Sequence, residues 1–222
     1  MELSLNVPIK GRVKACLELI KSFNLKGKVV VDVGSSVGWV ERALMNSGIK
    51  EIVGIEPNEQ VLEFAKKHIK GPRFILGDAL HIPLKDNYAD FVFLFDVLEH
   101  VPKGTEALAL KEIKRVLKEE GILLLSTPHN NLFIKTLDPA WYFGHRHYSV
   151  TEVKKLIKES GFELSSLTLK GNILSSIYAI WFYVTKFLFG NTQPQSNFFE
   201  SLEEKGYREG KIGTIFLVAK AR

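Results

Sequence analysis

The stretch that most constrains the fold is Val29-Val30-Val31-Asp32-Val33-Gly34-Ser35-Ser36-Val37-Gly38. Three β-branched residues run into one acid, and the acid runs into a loop of small residues. An apolar run of this kind reads as a strand covered on both faces, as a strand inside a parallel sheet must be. Trp39 to Asn46 follows as a helix, with Trp39, Ala43 and Leu44 on one face. Strand, tight turn and helix form one unit. Gly34 and Gly38 permit backbone angles closed to other residues and let a ligand approach the main chain. The helix start leaves N–H groups unpaired. Open α/β sheets hold nucleotide-like ligands at this place, at the carboxyl ends of their strands.

The spacing narrows the ligand. A dinucleotide fingerprint needs Gly at positions 34, 36 and 39, and the chain has Gly34, Ser36 and Trp39. An alternating glycine pattern matches at Gly34 and Gly38, with Ser36 between them. No Gly-Lys-Ser/Thr follows, which excludes a P-loop. Asp32 would repel a pyrophosphate and attract a ligand carrying a cation. A second strand, Glu51 to Glu56, ends in an acid followed by Pro57, and Asn58 caps a helix bearing Val61, Leu62, Phe64 and Ala65. Glu56 stands about 20 residues beyond the loop, where an acid can accept hydrogen bonds from ribose hydroxyls. A third strand from Arg73 ends in Gly77-Asp78-Ala79. Asp78 is either an acceptor for an adenine amino group or an ordinary turn residue. A fourth strand, Asp90 to Phe95, ends at Asp96.

The 222 residues suffice for one domain with a full core. Hydrophobic residues make up 45% and charged residues 25%, a globular balance. The net charge of +5 is spread without a basic block, which argues against nucleic acid as partner. A single cysteine, Cys16, permits neither an intrachain disulfide nor a cysteine-based zinc site, and fits a reducing interior. Met1 to Lys10 lacks an apolar signal core, so a cytoplasmic location is expected. Arg12 to Phe23 reads as an amphipathic helix with Val13, Cys16, Leu17 and Ile20 inward and Arg12, Lys14 and Lys21 on a solvated face. Thr105 to Lys118 reads as a helix with Leu108, Ile113, Val116 and Leu117 inward. After a turn at Glu120-Gly121, Ile122 to Ser126 gives a fifth strand. Val150 to Ser160 is a further helix, Phe162 to Lys170 a sixth strand and Thr214 to Ala221 the last.

Taken together in this order, these pieces resemble the class I S-adenosylmethionine-dependent methyltransferases. The narrower likeness is to the small-molecule and lipid-precursor branch that includes the ubiquinone and menaquinone methyltransferases. The matching residues are Asp32-Val-Gly34-Ser-Ser-Val-Gly38, Glu56, Gly77-Asp78-Ala79 and Phe95-Asp96-Val97-Leu98-Glu99-His100-Val101. Arg115-Val116-Leu117-Lys118, Gly121, Ser126-Thr127-Pro128 and His145-Arg146-His147-Tyr148-Ser149 extend the match. The chain departs from the family at Ser36, where Gly is usual. The resemblance implies a doubly wound α/β fold with a mostly parallel seven-stranded sheet, its last strand antiparallel. It implies S-adenosylmethionine as cofactor and methyl transfer to a small or lipid-like acceptor. By the same resemblance Asp32, Gly34, Ser35, Ser36 and Gly38 hold the methionine end and Glu56 with Pro57 holds the ribose. Asp78 and Ala79 meet the adenine, and Phe95 and Asp96 line the pocket. The implied organisation is one domain: an N-terminal helical segment (residues 1–27), a cofactor core (28–127) and an insertion or lid (171–211).

Methyl transfer from a sulfonium needs an aligned nucleophile and, for some acceptors, a base. Histidine is the usual base near neutral pH. His100, His129, His145 and His147 fall in loops at the carboxyl side of the sheet. His145 and His147 are two apart and face the same way if extended, which makes them the candidate catalytic pair. His100 reads as capping the turn after the fourth strand. No third ligand for a metal can be located, and none is expected. Two other functions remain open at this point: a nicotinamide-dependent oxidoreductase, and a non-catalytic adenosyl-binding module of the same fold.

Ile173 to Phe189 is the most apolar run in the chain, and a polar stretch, Gly190 to Lys211, follows it. As a helix the run would be ~25 Å long, short of a bilayer core of ~30 Å. It is expected to cover the site mouth, to dock on a membrane surface, or to form a homodimer contact.

Overall fold

The computed structural model describes residues 3–5, 7, 9–142, 144–190 and 196–222. Residues 1, 2, 6 and 8 of the N-terminal stretch and 191–195 of the polar stretch therefore lie outside the described residues. The strands are β1 (Val29–Val33), β2 (Glu51–Glu56), β3 (Arg73–Leu76), β4 (Ala89–Phe95), β5 (Leu117–Pro128), β6 (Phe162–Lys170) and β7 (Thr214–Ala221). They form one sheet in the order β3-β2-β1-β4-β5-β7-β6. The first five run parallel, and β7 lies antiparallel between β5 and β6. The chain steps outward from β1 to β2 and β3, then returns to place β4 on the other side. The strand order thus reverses at β1, and the crevice outside the carboxyl ends of β1 and β4 is where such sheets bind ligands. In register, Asp32 stands opposite Gly54 and Phe93, Glu56 opposite Leu76, and Phe95 opposite Ser126. All the strand-end acids therefore meet at one edge.

Alternation within the strands divides the core. Val31, Val33, Val92, Leu94, Leu123 and Leu125 face one side, with Ala109, Leu110, Ile113 and Val116 of α4 (Glu106–Val116). Val153 and Ile157 of α7 (Val150–Glu159) join them. Val30, Phe91, Phe93 and Leu124 face the other side, against Ala15, Cys16, Leu17 and Ile20 of α1 (Gly11–Lys21) and Val40 and Leu44 of α2 (Trp39–Leu44). The Asn58 side chain accepts the Val61 N–H and caps α3 (Glu59–His68).

Several local expectations are corrected. Leu108 is 57% exposed, because the buried stripe of α4 is set by residues 109, 110, 113 and 116. The inward face of α2 carries Val40, Glu41 and Leu44, while Ala43 is exposed. β3 stops at Leu76, which leaves Asp78 in a turn. The polar stretch contains a helix, α9 (Asn197–Glu209). Two short helices, α5 (Leu132–Thr136) and α6 (Pro139–Tyr142), also lie in segments without a helical signal.

Ile173–Phe189 forms one helix, α8. The Asn172 side chain accepts the Leu174 N–H at its start. No helix among the described residues is long and apolar enough to cross a membrane. α8 and α9 pack on each other, and α9 returns onto α1. Lys10 pairs with Glu200 and Lys14 with Glu204, while Glu203 lies against Gly11. Arg12, Lys14 and Lys21 are exposed as expected, and Lys14 also pairs with α9.

Candidate active site

The loop after β1 is fixed by its backbone. The N–H groups of Gly34 and Ser35 both donate to the carbonyl of Ile55, at 2.8 and 3.0 Å. Gly34 (φ +83°) and Gly38 (φ +79°) occupy the left-handed region. A Cβ on Gly34 would stand 2.3 Å from Val97 Cγ2, and one on Gly38 would stand 2.5 Å from Ile69 Cδ1. Ser36 shares the left-handed conformation (φ +51°) without being glycine. Its N–H donates to Glu56 Oε2 at 2.9 Å, and the Asn58 N–H donates to Glu56 Oε1 at 3.0 Å. Those two bonds use half of the roughly four acceptor positions of a carboxylate.

Beneath the loop stands a group that the sequence had not pointed to. Glu41 is fully buried, and neither carboxylate oxygen has a hydrogen-bond partner. The buried Ser35 Oγ is likewise unpartnered. Gly54 makes the room, since a Cβ there would lie 2.5 Å from Glu41 Oε1 and 2.8 Å from Ser35 Cβ. Burial and then the charge of Asp32 raise the Glu41 pKa well above the carboxylate range. Asp32 itself is pushed up to about 7, by burial first and by Glu56 second. The signal that could have revealed Glu41 was the 40, 41, 44 face of α2, which a 39, 43, 44 face obscured.

A second set of groups gathers at the end of β4. Asp96 adopts φ +54°, a conformation costly for a non-glycine residue. Its Oδ1 accepts from Ser126 Oγ at 3.1 Å, and its Oδ2 is 3.1 Å from Arg12 Nε. Asp96 raises the Arg12 pKa. The Arg12 side chain is still 46% exposed. Glu99 is buried and accepts from Thr127 Oγ1 at 3.0 Å; burial, then Asp96, pushes it up to about 8. The rings of His100 and His145 meet edge to face at 4.4 Å. Burial lowers the pKa of both, and the neighbouring His145 ring lowers that of His100 further. Phe95 packs with Phe93 and Trp39 on the same edge.

The segment 145–148 serves two purposes. Arg146 Nη1 lies 3.0 Å from Glu106 Oε1, and its Nη2 donates to the carbonyls of Leu98 and Val101. The Tyr148 hydroxyl donates to the carbonyl of Leu98 at 3.0 Å. Together they hold the turn after β4. His145 and His147 do not share a partner: His145 meets His100, whereas His147 Nε2 is 3.0 Å from Asp138 Oδ2 and its side chain is 2% exposed. His129 Nδ1 bonds the carbonyl of Ile212 at 2.9 Å, away from this group. Asp78 Oδ1 accepts the N–H groups of Leu80 and His81, so its turn is self-contained; Ala79 is buried beside it and Pro57 is exposed. Among the described residues no group of three or more His, Cys, Asp or Glu could hold a metal ion.

These residues fit an adenosyl cofactor that carries a cation. Gly34 and Gly38 keep the loop in a left-handed, tightly packed turn that a Cβ would disturb, three carboxyl groups stand under or beside it, and Ser35 Oγ is buried without a partner. A pyrophosphate would meet acids where it needs cations.

Comparison with known proteins agrees. Residues 31–125 match the methyltransferase domain family. The chain is 30% identical over 129 residues to a ubiquinone/menaquinone biosynthesis C-methyltransferase of Campylobacter jejuni, covering 55% of this chain and 54% of that protein. It therefore spans about half the length of the Campylobacter relatives it matches. A demethylmenaquinone methyltransferase of Thermotoga maritima is 28% identical over 190 residues, 73% of this chain and 81% of the relative. Among solved structures, a putative sarcosine dimethylglycine methyltransferase of Galdieria sulphuraria superposes with a TM-score of 0.67 at 18% identity, over 93% of this chain and 83% of that one. A putative methyltransferase of Bacillus halodurans gives 0.66 at 21% identity, over 94% and 99%. These two structures share the fold.

Proposed function

From a chain that carries a class I methyltransferase domain, we propose an enzyme that uses S-adenosylmethionine to methylate a small, quinone-like acceptor by in-line displacement. One observation carries the proposal: the acid-lined glycine loop at β1 and the groups Arg12–Asp96 and His100–His145 at β4 stand at the end of the sheet where the strand order reverses. S-adenosylmethionine bound there supplies a methyl group already activated on sulfur. Asp32 and the main chain of Gly34, Ser35, Ser36 and Gly38 hold the methionyl end. The unused acceptor positions of Glu56, beside Pro57, take the ribose hydroxyls. Asp78 and Ala79 border the adenine, and Phe95 and Asp96 line the path to the acceptor.

Arg12 faces the acceptor with a guanidinium that Asp96 engages through Nε. It can stabilise an ionised acceptor oxygen and so enrich electron density at the neighbouring carbon. His145, kept neutral by burial, can take the proton that carbon loses when its new bond to the methyl group forms. His147 orients the same segment through Asp138. The insertion 171–211 acts as a lid above this cleft in a single domain that also comprises the N-terminal segment 1–27 and the core 28–127. A cytoplasmic enzyme of this kind would meet a membrane-held acceptor at the bilayer surface, through Ile173–Phe189.

The Thermotoga and Campylobacter relatives favour a quinone-type acceptor over an amine. Incubation with methyl-labelled S-adenosylmethionine and a short-chain demethylmenaquinone analogue tests the proposal. Label in the quinone fraction is expected; cofactor binding with no transfer to any quinone or phenol would support a non-catalytic adenosyl-binding module instead.

A further inference from the structure

α8 has two faces with different surroundings. One packs on α9, and α9 in turn packs on α1, which carries Arg12. On the other, Ile173, Ile177, Val184 and Leu188 recur at helical spacing and are 37–63% exposed, with Phe187 beside them at 90%. This stripe runs the ~25 Å length of the helix. The segments α5 and α6 pack on α8 and expose Leu132 and Tyr142. An apolar surface of this extent marks a contact site.

The charges around it select the partner. Lys186 stands over the Phe182 ring and Lys135 over the Trp141 ring, and among the described residues neither is paired with a carboxylate. The neighbouring acids are already engaged: Asp138 with His147, Glu200 with Lys10 and Glu204 with Lys14. The apolar stripe is thus accompanied, at the last turn of α8 and on the adjoining α5, by cations without a carboxylate partner among the described residues. Two copies meeting through the same patch would bring like charges together. An anionic bilayer supplies what both components lack, apolar depth and negative headgroups. Tyr142 of the adjoining α6, 66% exposed, suits the boundary between water and lipid. Spanning is excluded by topology, because β6 and β7 flank the α8–α9 hairpin and pair along their length.

We propose that α8 lies in the plane of an anionic membrane surface with the Ile173–Leu188 stripe among the acyl chains, so that a lipid-anchored acceptor passes from the bilayer along the inner face of the helix to Arg12. The route to the cleft rests on the methyltransferase reading above; the docking does not.

Vesicle flotation of the full chain, without acceptor, tests the docking. Vesicles of phosphatidylcholine with roughly a third phosphatidylserine should carry the protein, and pure phosphatidylcholine should carry about tenfold less. Phe187→Ser/Leu188→Ser should lower recovery about tenfold while cofactor affinity and the circular dichroism spectrum stay unchanged. Lys135→Gln/Lys186→Gln should lower binding to the anionic vesicles by about tenfold or more, following roughly 1 kcal/mol for each lysine. Wild-type protein left in the unbound fraction with anionic vesicles would overturn the proposal. So would a dimer in analytical ultracentrifugation that Phe187→Ser/Leu188→Ser splits while neither form floats. Turnover on a water-soluble short-chain acceptor separates this inference from the function: if turnover persists and flotation fails, only the docking falls. Flotation without turnover supports docking and counts against the acceptor reading alone.

Discussion

The two halves of the cleft are built differently. The half proposed to hold the cofactor consists of strand ends and main chain: Asp32, the Gly34–Gly38 loop and Glu56 belong to two neighbouring parallel strands and the turns that follow them. The acceptor half is assembled from α1, the turn after β4, the segment 145–148 and the α8–α9 hairpin. Its central groups, Arg12 and Asp96, are 84 positions apart in the chain. The first half is rigid because β-sheet register sets it. The half proposed for the acceptor depends on packing between helices. The comparison predicts that substitutions should separate into those that alter turnover and those that alter cofactor affinity.

The largest expected effect lies in the acceptor half. His145→Ala should lower turnover by ~10²–10⁴-fold and leave cofactor affinity within about twofold. His147→Ala should act differently, by loosening the segment that Asp138 holds. Steady-state kinetics beside calorimetric titration checks both, and full activity in both variants would remove the acid–base role from this segment. In the cofactor half, Glu56→Ala should weaken S-adenosylmethionine binding by roughly tenfold to a hundredfold, from hydrogen bonds to a charged acceptor worth ~1.5–3 kcal/mol. Equal affinity for the variant and the parent would place the ribose elsewhere.

A pH series sharpens the contrast further. Asp32 in the free protein is pushed up to about 7 from the ordinary aspartate value of 3.8, chiefly because it is buried. The folded state therefore favours the neutral acid. Its contribution to stability is fully present below the unfolded pKa and is lost as pH rises toward 7. A bound cation favours the ionised form instead. Cofactor affinity should thus climb from pH 6 to pH 8 while the melting temperature of the free protein falls from pH 5 to pH 7. Calorimetry in buffers of different ionisation enthalpy should show proton release on binding at pH 7. Slopes of the same sign would contradict the ionisation assigned to Asp32.

The smallest effect is expected at Ser36. Relief of its left-handed backbone by glycine and the greater chain entropy of glycine are each worth ~1 kcal/mol and oppose one another. Ser36→Gly should change the melting temperature by only a few degrees and keep cofactor binding, whereas Ser36→Val should disrupt the loop.

What was legible in the sequence follows the same division. The buried strand, the paired glycines and the acid at the end of β2 are contiguous motifs whose geometry the chain dictates locally. Asn58, Phe162–Lys170, Ile173–Phe189 and Thr214–Ala221 were readable for the same reason. α9 was not: the many charges of its segment masked the 199, 202, 206 spacing of Phe199, Leu202 and Gly206, and Phe199 stacks on Trp181 of α8. Arg12 was hidden for a different reason, since a cation on a helix looks solvated until its partner 84 residues away is known. Glu41 sat on a face judged by its apolar neighbours, and only Gly54 across the sheet shows that a carboxyl fits there.

The most direct measurement of the central claim is a parallel titration of the purified chain with S-adenosylmethionine and with NADH. The geometry of the Gly34–Gly38 loop, with Asp32, Glu41 and Glu56 around it, predicts saturable binding of S-adenosylmethionine that Glu56→Ala weakens, and no comparable binding of NADH. Tighter binding of NADH, or no binding of S-adenosylmethionine at pH 8, would contradict the account.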